Sequence, residues 1–268
     1  MSELVDVVVY GSAGRMGQAV IRAVLDSTRA RLSCALVKPG SGLADEPLDR
    51  VFGTLNRMVD FSTSLDPDDP CDVLVDFSGP IGFDAALALA LERRAAFVSG
   101  TTGLRDEQHA MLHNAGRTIP VLWTSNFSLG IAMLGRLARC CAEALPDWDC
   151  EIVEMHHRLK QDAPSGTAMT LGKAVAEARG VSLDDNGRFE RYGQIGARPV
   201  GEIGFAALRG GDVIGDHTVV FATHGERLEI THRATDRDIF ARGALAAAVW
   251  LAGREPGTYN FDQVLAPE

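Results

Sequence analysis

Val5-Asp6-Val7-Val8-Val9-Tyr10-Gly11-Ser12-Ala13-Gly14-Arg15-Met16-Gly17 is an apolar run that ends in a glycine-rich turn. Its first six residues read as a buried strand. Arg15–Ser27 follows as a helix, with Met16, Val20, Ala23 and Val24 at helical spacing. Glycines at such a junction permit a tight turn and let backbone approach a pyrophosphate. The amide groups and positive dipole end of the next helix then hold the phosphate. The bland alternative is a tight strand-to-helix turn with no ligand. Its place in the first strand–helix–strand unit favours a dinucleotide site built from Gly11, Ser12, Ala13, Gly14, Arg15 and Met16.

Outward from this stretch, short apolar runs continue to alternate with helical patterns. Strands are expected at Leu32–Val37, Val73–Phe77, Ala96–Ser99 and Val121–Trp123, and helices at Phe83–Arg94 and Asp106–Gly116. Residues 39–70, rich in Gly, Pro and Asp, read mostly as loop. Strands separated by helices predict a parallel sheet with helices on both faces. The second half changes character. A helix at Gly130–Leu145 precedes a strand at Cys150–His156 and a helix at Ala168–Arg179. Alternating segments at Ile203–Leu208, His217–Thr223 and Leu228–Arg233 predict antiparallel strands with one buried face. A last helix, Asp238–Ala252, precedes a short tail and is expected to return to the first domain. The fold class is therefore α/β: a Rossmann-type dinucleotide-binding domain, 1–126 plus 238–268, with a second α+β domain, 127–237.

The 268 residues are 46% hydrophobic and 23% charged, enough for one large domain or two modest ones. No apolar run is long enough to span a bilayer. The opening Met1-Ser2-Glu3-Leu4 lacks the pattern of a signal peptide. The five cysteines, Cys34, Cys71, Cys140, Cys141 and Cys150, form no Cys-x-x-Cys pair, so no zinc site or disulfide framework is expected, and the cytoplasm is the default location. Neighbouring Cys140 and Cys141 read as buried small hydrophobes. A formal net charge of -10 disfavours nucleic acid and anionic membranes as partners. It also means that any site for an anionic substrate must reverse the charge locally.

That reversal occurs in Glu154-Met155-His156-His157-Arg158-Leu159-Lys160-Gln161-Asp162-Ala163-Pro164-Ser165-Gly166-Thr167-Ala168. Between Met155 and Gln161 lie two histidines, an arginine and a lysine, with no acid. Pro164-Ser165-Gly166-Thr167 then reads as a helix start, whose amides at Gly166 and Thr167 suit a carboxylate. If the chain stays extended, His156, Arg158 and Lys160 share one face and His157 takes the other. Histidine is a natural proton donor near neutral pH, and a lysine ammonium can bind an anion or supply a proton. A basic surface strand or a metal site would be the plainer explanation. Adjacent histidines on a strand diverge, however, and the cluster leads into an anion-binding helix start.

The dinucleotide's identity is normally read about 20 residues beyond the glycines, where an acid binds the ribose hydroxyls. Here Val37 and Lys38 stand instead. Lys38, with Arg15, suits a 2′-phosphate; alternatively it is a solvated loop lysine. NADPH is therefore expected to serve at least as well as NADH. Gly100-Thr101-Thr102-Gly103 and Thr124-Ser125-Asn126-Phe127 follow strands at the edge where a parallel sheet binds ligands, although each is also an ordinary turn.

The sequence resembles the 4-hydroxy-tetrahydrodipicolinate (dihydrodipicolinate) reductase family. The resemblance rests on Gly11–Gly17, Val75-Asp76-Phe77-Ser78, Gly100–Gly103, Asn126-Phe127-Ser128 and Glu154–Ala168. Gly215-Asp216-His217-Thr218 and Gly225–His232 extend it over nearly the whole chain. It implies a C-terminal substrate and tetramerisation domain, hence a homotetramer. It also implies NAD(P)H-dependent reduction of dehydrated 4-hydroxy-tetrahydrodipicolinate, a small dicarboxylate, to tetrahydrodipicolinate in the lysine and diaminopimelate pathway. By motif, His156 corresponds to the proton donor or acceptor and Lys160 to a second proton donor. His157, Gly166 and Thr167 correspond to substrate-binding positions. Gly11–Met16, Gly100–Thr102 and Thr124–Phe127 correspond to cofactor-binding segments. The chain departs from the family at Val37, where members often carry an acid, and at Ser78-Gly79-Pro80, where Thr-x-Pro is more usual; Lys38 fits the basic residue that often follows the acid.

Two other readings compete. One is a different two-domain Rossmann oxidoreductase of the aspartate family, such as a semialdehyde dehydrogenase, which needs an activated cysteine nucleophile. Only Cys150 stands near the candidate motifs. The other is a non-catalytic nucleotide-sensing module, which needs the glycine loop but not the His/Lys cluster.

Overall fold

The computed structural model describes residues 4–53 and 59–266. In chain order, the first stretch contains β1 (Val5–Tyr10), α1 (Arg15–Leu25), β2 (Ala30–Leu36), α2 (Asp49–Phe52), β3 (Phe61–Ser62), β4 (Val73–Asp76), α3 (Phe83–Arg93), β5 (Ala96–Ser99), α4 (Asp106–Ala115) and β6 (Pro120–Trp123). Next come α5 (Leu129–Ala144), β7 (Asp149–His156), α6 (Gly166–Ala178), α7 (Leu183–Asn186), β8 (Gly187–Arg188), β9 (Ile203–Arg209), β10 (Gly215–Thr223) and β11 (Glu226–Ala234). The chain closes with α8 (Asp238–Leu251), β12 (Gly257–Tyr259) and a 3-10 turn, Phe261–Leu265. Two compact units result, residues 1–127 with 238–268, and residues 128–237. Among the described residues no helix is long and apolar enough to cross a membrane.

In the first unit the described strands form one parallel sheet in the order β12-β6-β5-β4-β1-β2-β3. The strand order reverses between β1 and β4, the point at which Rossmann-type sheets bind nucleotides beyond the carboxyl ends. Val8, Leu74, Phe97 and Val121 point to one face, where they pack with Phe83, Leu87 and Leu112 of α3 and α4. Helices α1 and α8 pack on each other, and α8 also covers β4, β5 and β6. The tail after α8 is not merely a tail: β12 extends the sheet beside β6. The stretch read as loop holds the short α2 and β3, and the part of it at 54–58 lies outside the described residues.

The second unit is built on a mixed sheet, β11-β10-β7-β9-β8. Strands β11, β10 and β7 are antiparallel neighbours, as alternation suggested for β10 and β11. The Ile203–Leu208 strand corrects that reading: β9 runs parallel to β7. The chain between them contains α6, the kind of crossover that parallel neighbours require. Cys150, Ile152, Val219, Phe221, Ile203 and Phe205 project from one sheet face into a core with Leu134 and Ala138 of α5 and Leu171 and Val175 of α6. Each such large side chain contributes roughly 1.5–3 kcal/mol on burial. Cys140 is exposed, contrary to its expected burial. The buried stripe of α5 runs through Ala138 and Ala142, so a residue midway between them turns outward.

Candidate active site

Along β7 burial alternates strictly, placing Cys150, Ile152, Glu154 and His156 on the core-facing side. The first two are apolar and the last two are not, so the strand carries a polar site at its carboxyl end. Glu154 is 1% exposed and His156 8%. His156 Nδ1 lies 2.5 Å from Glu154 Oε2. Arg209, at the end of the adjacent β9, donates to both carboxylate oxygens at 2.9 Å. The Ser165 N–H donates to Glu154 Oε1 at 3.1 Å. Burial would raise the Glu154 carboxyl, but Arg209, His156 and the Ser165 amide together hold it below the ordinary carboxylate value.

The strand ends at His156, and Lys160 N–H donates to the His157 carbonyl in a turn. The one-face arrangement expected for His156, Arg158 and Lys160 therefore fails, because Arg158 and Lys160 lie beyond the pleat. The turn nonetheless brings Lys160 into electrostatic reach of His217, whose ring centroid is 5.1 Å from that of His156. Lys160 Nζ pairs with Asp162 Oδ1 at 2.8 Å. That ammonium, with the Gly166 backbone N–H, holds the Asp162 carboxyl below its usual value. His157 Nδ1 is buried without a hydrogen-bond partner among the described residues.

Helix α6 starts where the sequence suggested, with Ser165 as its N-cap accepting from the Ala168 N–H at 3.2 Å. Gly166 and Thr167 form its first turn, and a Cβ on Gly166 would meet nothing within 4 Å. Lys160 and this open helix start thus provide positive potential for an anion.

Sequence reasoning did not assign roles to Glu154, Arg209, His217 or His232. His217 is 3% exposed, lies opposite Glu154 in the β10–β7 register and meets Ser165 Oγ at 3.1 Å. Burial, with His156 nearby, pushes its imidazole down to about 4, so it is neutral at ordinary pH. His232 lies opposite His217 on β11, 3.3 Å from Ser128 Oγ. The alternation of β7 was a signal for Glu154; the other residues are united with it only by strand pairing.

In the first unit, Gly11 has φ +85, and a Cβ there would lie 2.8 Å from Ser78 Cα. A Cβ on Gly17 would lie 2.3 Å from the Gly11 carbonyl oxygen, so both glycines are required for close packing of strand, turn and helix. Gly14 caps α1, with no side-chain cap and no acid in the first turn. Ala13, Gly14 and Arg15 are exposed and Met16 is half-buried, whereas Ser12 turns inward, donating to the Val9 carbonyl at 2.7 Å. Lys38 is exposed just beyond β2, and Val37 is buried beside it.

Beyond β4 and β5, Asp76 is completely buried and accepts from the hydroxyls of Ser78, Ser99 and Thr101 at 2.6, 2.7 and 2.8 Å. It thereby fixes the turns that hold Gly100, Thr101 and exposed Thr102. Thr124 Oγ1 accepts from the Asn126 N–H, Ser125 is exposed, and Phe127 packs against Phe77 and Phe261. The uncapped helix start, the glycine turn and the exposed cations fit the phosphates of a dinucleotide.

Comparison with known proteins supplies the family. Residues 5–127 match the family described as dihydrodipicolinate reductase, N-terminus, and residues 130–265 match its C-terminus. A 4-hydroxy-tetrahydrodipicolinate reductase of Pseudomonas fluorescens is 46% identical, over 97% of this chain and 98% of that protein. One from Ruegeria pomeroyi is 42% identical, over 99% of each. The solved structure of a dipicolinate-bound dihydrodipicolinate reductase from Paenisporosarcina sp. TG-14 matches with a TM-score of 0.75 at 24% identity, covering 96% of this chain and 98% of that one. An aspartate semialdehyde dehydrogenase from Candida albicans, solved with NADP, shares the fold alone, at 13% identity and a TM-score of 0.51, over 84% and 73% of the two chains. The chain belongs to the dihydrodipicolinate reductase family.

Proposed function

We propose that this chain reduces dehydrated 4-hydroxy-tetrahydrodipicolinate to tetrahydrodipicolinate with NADPH or NADH, in lysine and diaminopimelate biosynthesis. The observation that carries the chemistry is the joining of His156, Glu154 and the Ser165 cap of α6 through one buried carboxylate, with Lys160 close by. In this reading the first unit holds the dinucleotide through Gly11–Met16, Gly100–Thr102 and Thr124–Phe127. Lys38 and Arg15 favour a 2′-phosphate, so NADPH serves at least as well as NADH.

The second unit takes the substrate. Its two carboxylates require cations and N–H groups within an acidic protein, and Lys160, His157 and the α6 start at Gly166 and Thr167 supply them. A bound reduced nicotinamide supplies a hydride to the conjugated imine. Negative charge then develops in the ring, and His156 or Lys160 quenches it by giving up a proton. A homotetramer in the cytoplasm completes the proposal, the second unit carrying the assembly contacts.

A cysteine-based dehydrogenase is less well supported. Burial pushes the Cys150 thiol up to about 12, which leaves no thiolate for nucleophilic attack. The direct test is to condense pyruvate with aspartate semialdehyde in situ and follow nicotinamide absorbance with each cofactor. Oxidation of the cofactor only when both precursors are present is the expected result. A lack of turnover with either cofactor would overturn the proposal.

A further inference from the structure

The carboxylate of Glu154 is surrounded by donors. Its Oε1 accepts from Ser165 N–H at 3.1 Å and Arg209 Nη2 at 2.9 Å; its Oε2 accepts from Arg209 Nη1 at 2.9 Å and faces His156 Nδ1 at 2.5 Å. A carboxylate held by a bidentate arginine and a backbone amide is ionised and has no proton to donate. The contact to His156 therefore requires the proton to be on Nδ1. An imidazole fixed in this way exchanges protons through Nε2 alone. That nitrogen makes no hydrogen bond among the described residues, and a Cβ on Gly215 would come within 2.9 Å of it. A glycine there leaves the nitrogen its space.

We propose that Glu154 is the positioning residue of the reductase site, holding His156 as its Nδ1–H tautomer and the start of α6 in place through the same carboxylate. The proposal rests on the assignment of His156 as proton donor. One buried anion then couples two tasks. Through Nδ1 it aims the donating nitrogen, and through Ser165 it sets the helix turn of Gly166 and Thr167 that meets the substrate's carboxylate. Arg209 keeps the anion ionised. The charged and titratable groups around His156 are Glu154 on its own strand, Arg209 on β9, His217 on β10 with His232 behind it on β11, and Lys160 in the following turn. Replacing the anion by a neutral amide, which can donate as well as accept, removes the constraint on tautomer.

The test combines spectroscopy and kinetics on the full chain. In 15N-histidine-labelled protein, with His156→Asn used for assignment, long-range proton–nitrogen correlations should show neutral His156 with its proton on Nδ1. In Glu154→Gln that preference should be lost. Its kcat should fall by about a hundredfold. The KM for NADPH should hold. Glu154→Asp, which keeps the charge, should restore the Nδ1–H tautomer. A wild-type His156 protonated on Nε2, or a Glu154→Gln enzyme whose His156 keeps its proton on Nδ1, would overturn the proposal; the first needs no variant to fold. Absence of turnover by the wild-type enzyme would instead strike the reductase assignment, leaving the tautomer measurement to judge Glu154.

Discussion

Lys160 Nζ donates to Asp162 Oδ1 at 2.8 Å, so the ammonium assigned to an anionic substrate already has an anion of the protein's own. The same carboxylate feels the Gly166 N–H at the start of α6. Asp162 is 60% exposed and Lys160 only 20%, which makes the acid the partner that can move away. On the proposed function, substrate binding exchanges one carboxylate for another. Exposed ion pairs are worth up to about 1 kcal/mol, so releasing Lys160 by Asp162→Asn should lower KM for the dicarboxylate roughly two- to fivefold. Lys160→Ala should raise it and reduce kcat. Steady-state kinetics at fixed NADPH distinguish these effects; a raised KM in Asp162→Asn would mean that the acid orients the lysine instead of competing for it.

Asp76 gathers Ser78, Ser99 and Thr101 on one completely buried carboxylate. It stands at the carboxyl end of the sheet, beside the turns after β4 and β5 that the proposed function assigns to the dinucleotide. Asp76→Asn substitutes a donor for an acceptor opposite hydroxyls that must donate, and a buried group left unsatisfied costs about 1–3 kcal/mol. Thermal unfolding should show this loss. Fluorescence titration with NADPH should show weakened binding, while His156 and its surroundings keep their hydrogen bonds. Unaltered cofactor affinity would confine Asp76 to a stability role.

The parts of this molecule legible in its sequence are those with local causes. The β1–glycine turn–α1 unit could be read because strand, turn and helix are contiguous, and Ser165 could be read as a helix start for the same reason. Strand direction could not. Alternation in Ile203–Leu208 reports which face is buried, and the same alternation serves a parallel or an antiparallel neighbour. The three residues of β12 are too few to carry a period at all. In the site, counting by twos from Cys150 reaches Glu154 as surely as His156, so Glu154 was within reach of the sequence. His217 and Arg209 were not, since only the pairing of β7 with β10 and β9 sets His217 opposite Glu154 and brings Arg209 to its carboxylate.

Lys38 stands exposed at the carboxyl end of β2, next to buried Val37 and without an acid at the position that would bind ribose hydroxyls. On the proposed function, a lysine there stabilises by its charge the 2′-phosphate that NADPH carries and NADH lacks. Lys38→Ala should therefore raise KM for NADPH by about tenfold, the effect of roughly 1.4 kcal/mol, and leave KM for NADH nearly unchanged. Equal effects on both cofactors would remove the 2′-phosphate from the explanation.

His217 is buried against His156 and Ser165, and its imidazole is pushed from 6.5 down to about 4. Between those two values the unfolded chain takes up a proton that the folded chain refuses, so stability falls as pH drops through this window and levels off below it. A depression of this size corresponds to about 3 kcal/mol. Glu154 adds a separate loss further down: its carboxyl is held below 4.5, so its contribution is present above that value and disappears only as pH falls through the folded value. His217→Gln cannot be protonated and retains polar atoms for Ser165. Denaturant unfolding followed from pH 7 to pH 4 should show a steep decline in the wild type and a shallower one in the variant, with the two converging in slope at lower pH. An identical decline in both would assign the acid sensitivity to other groups.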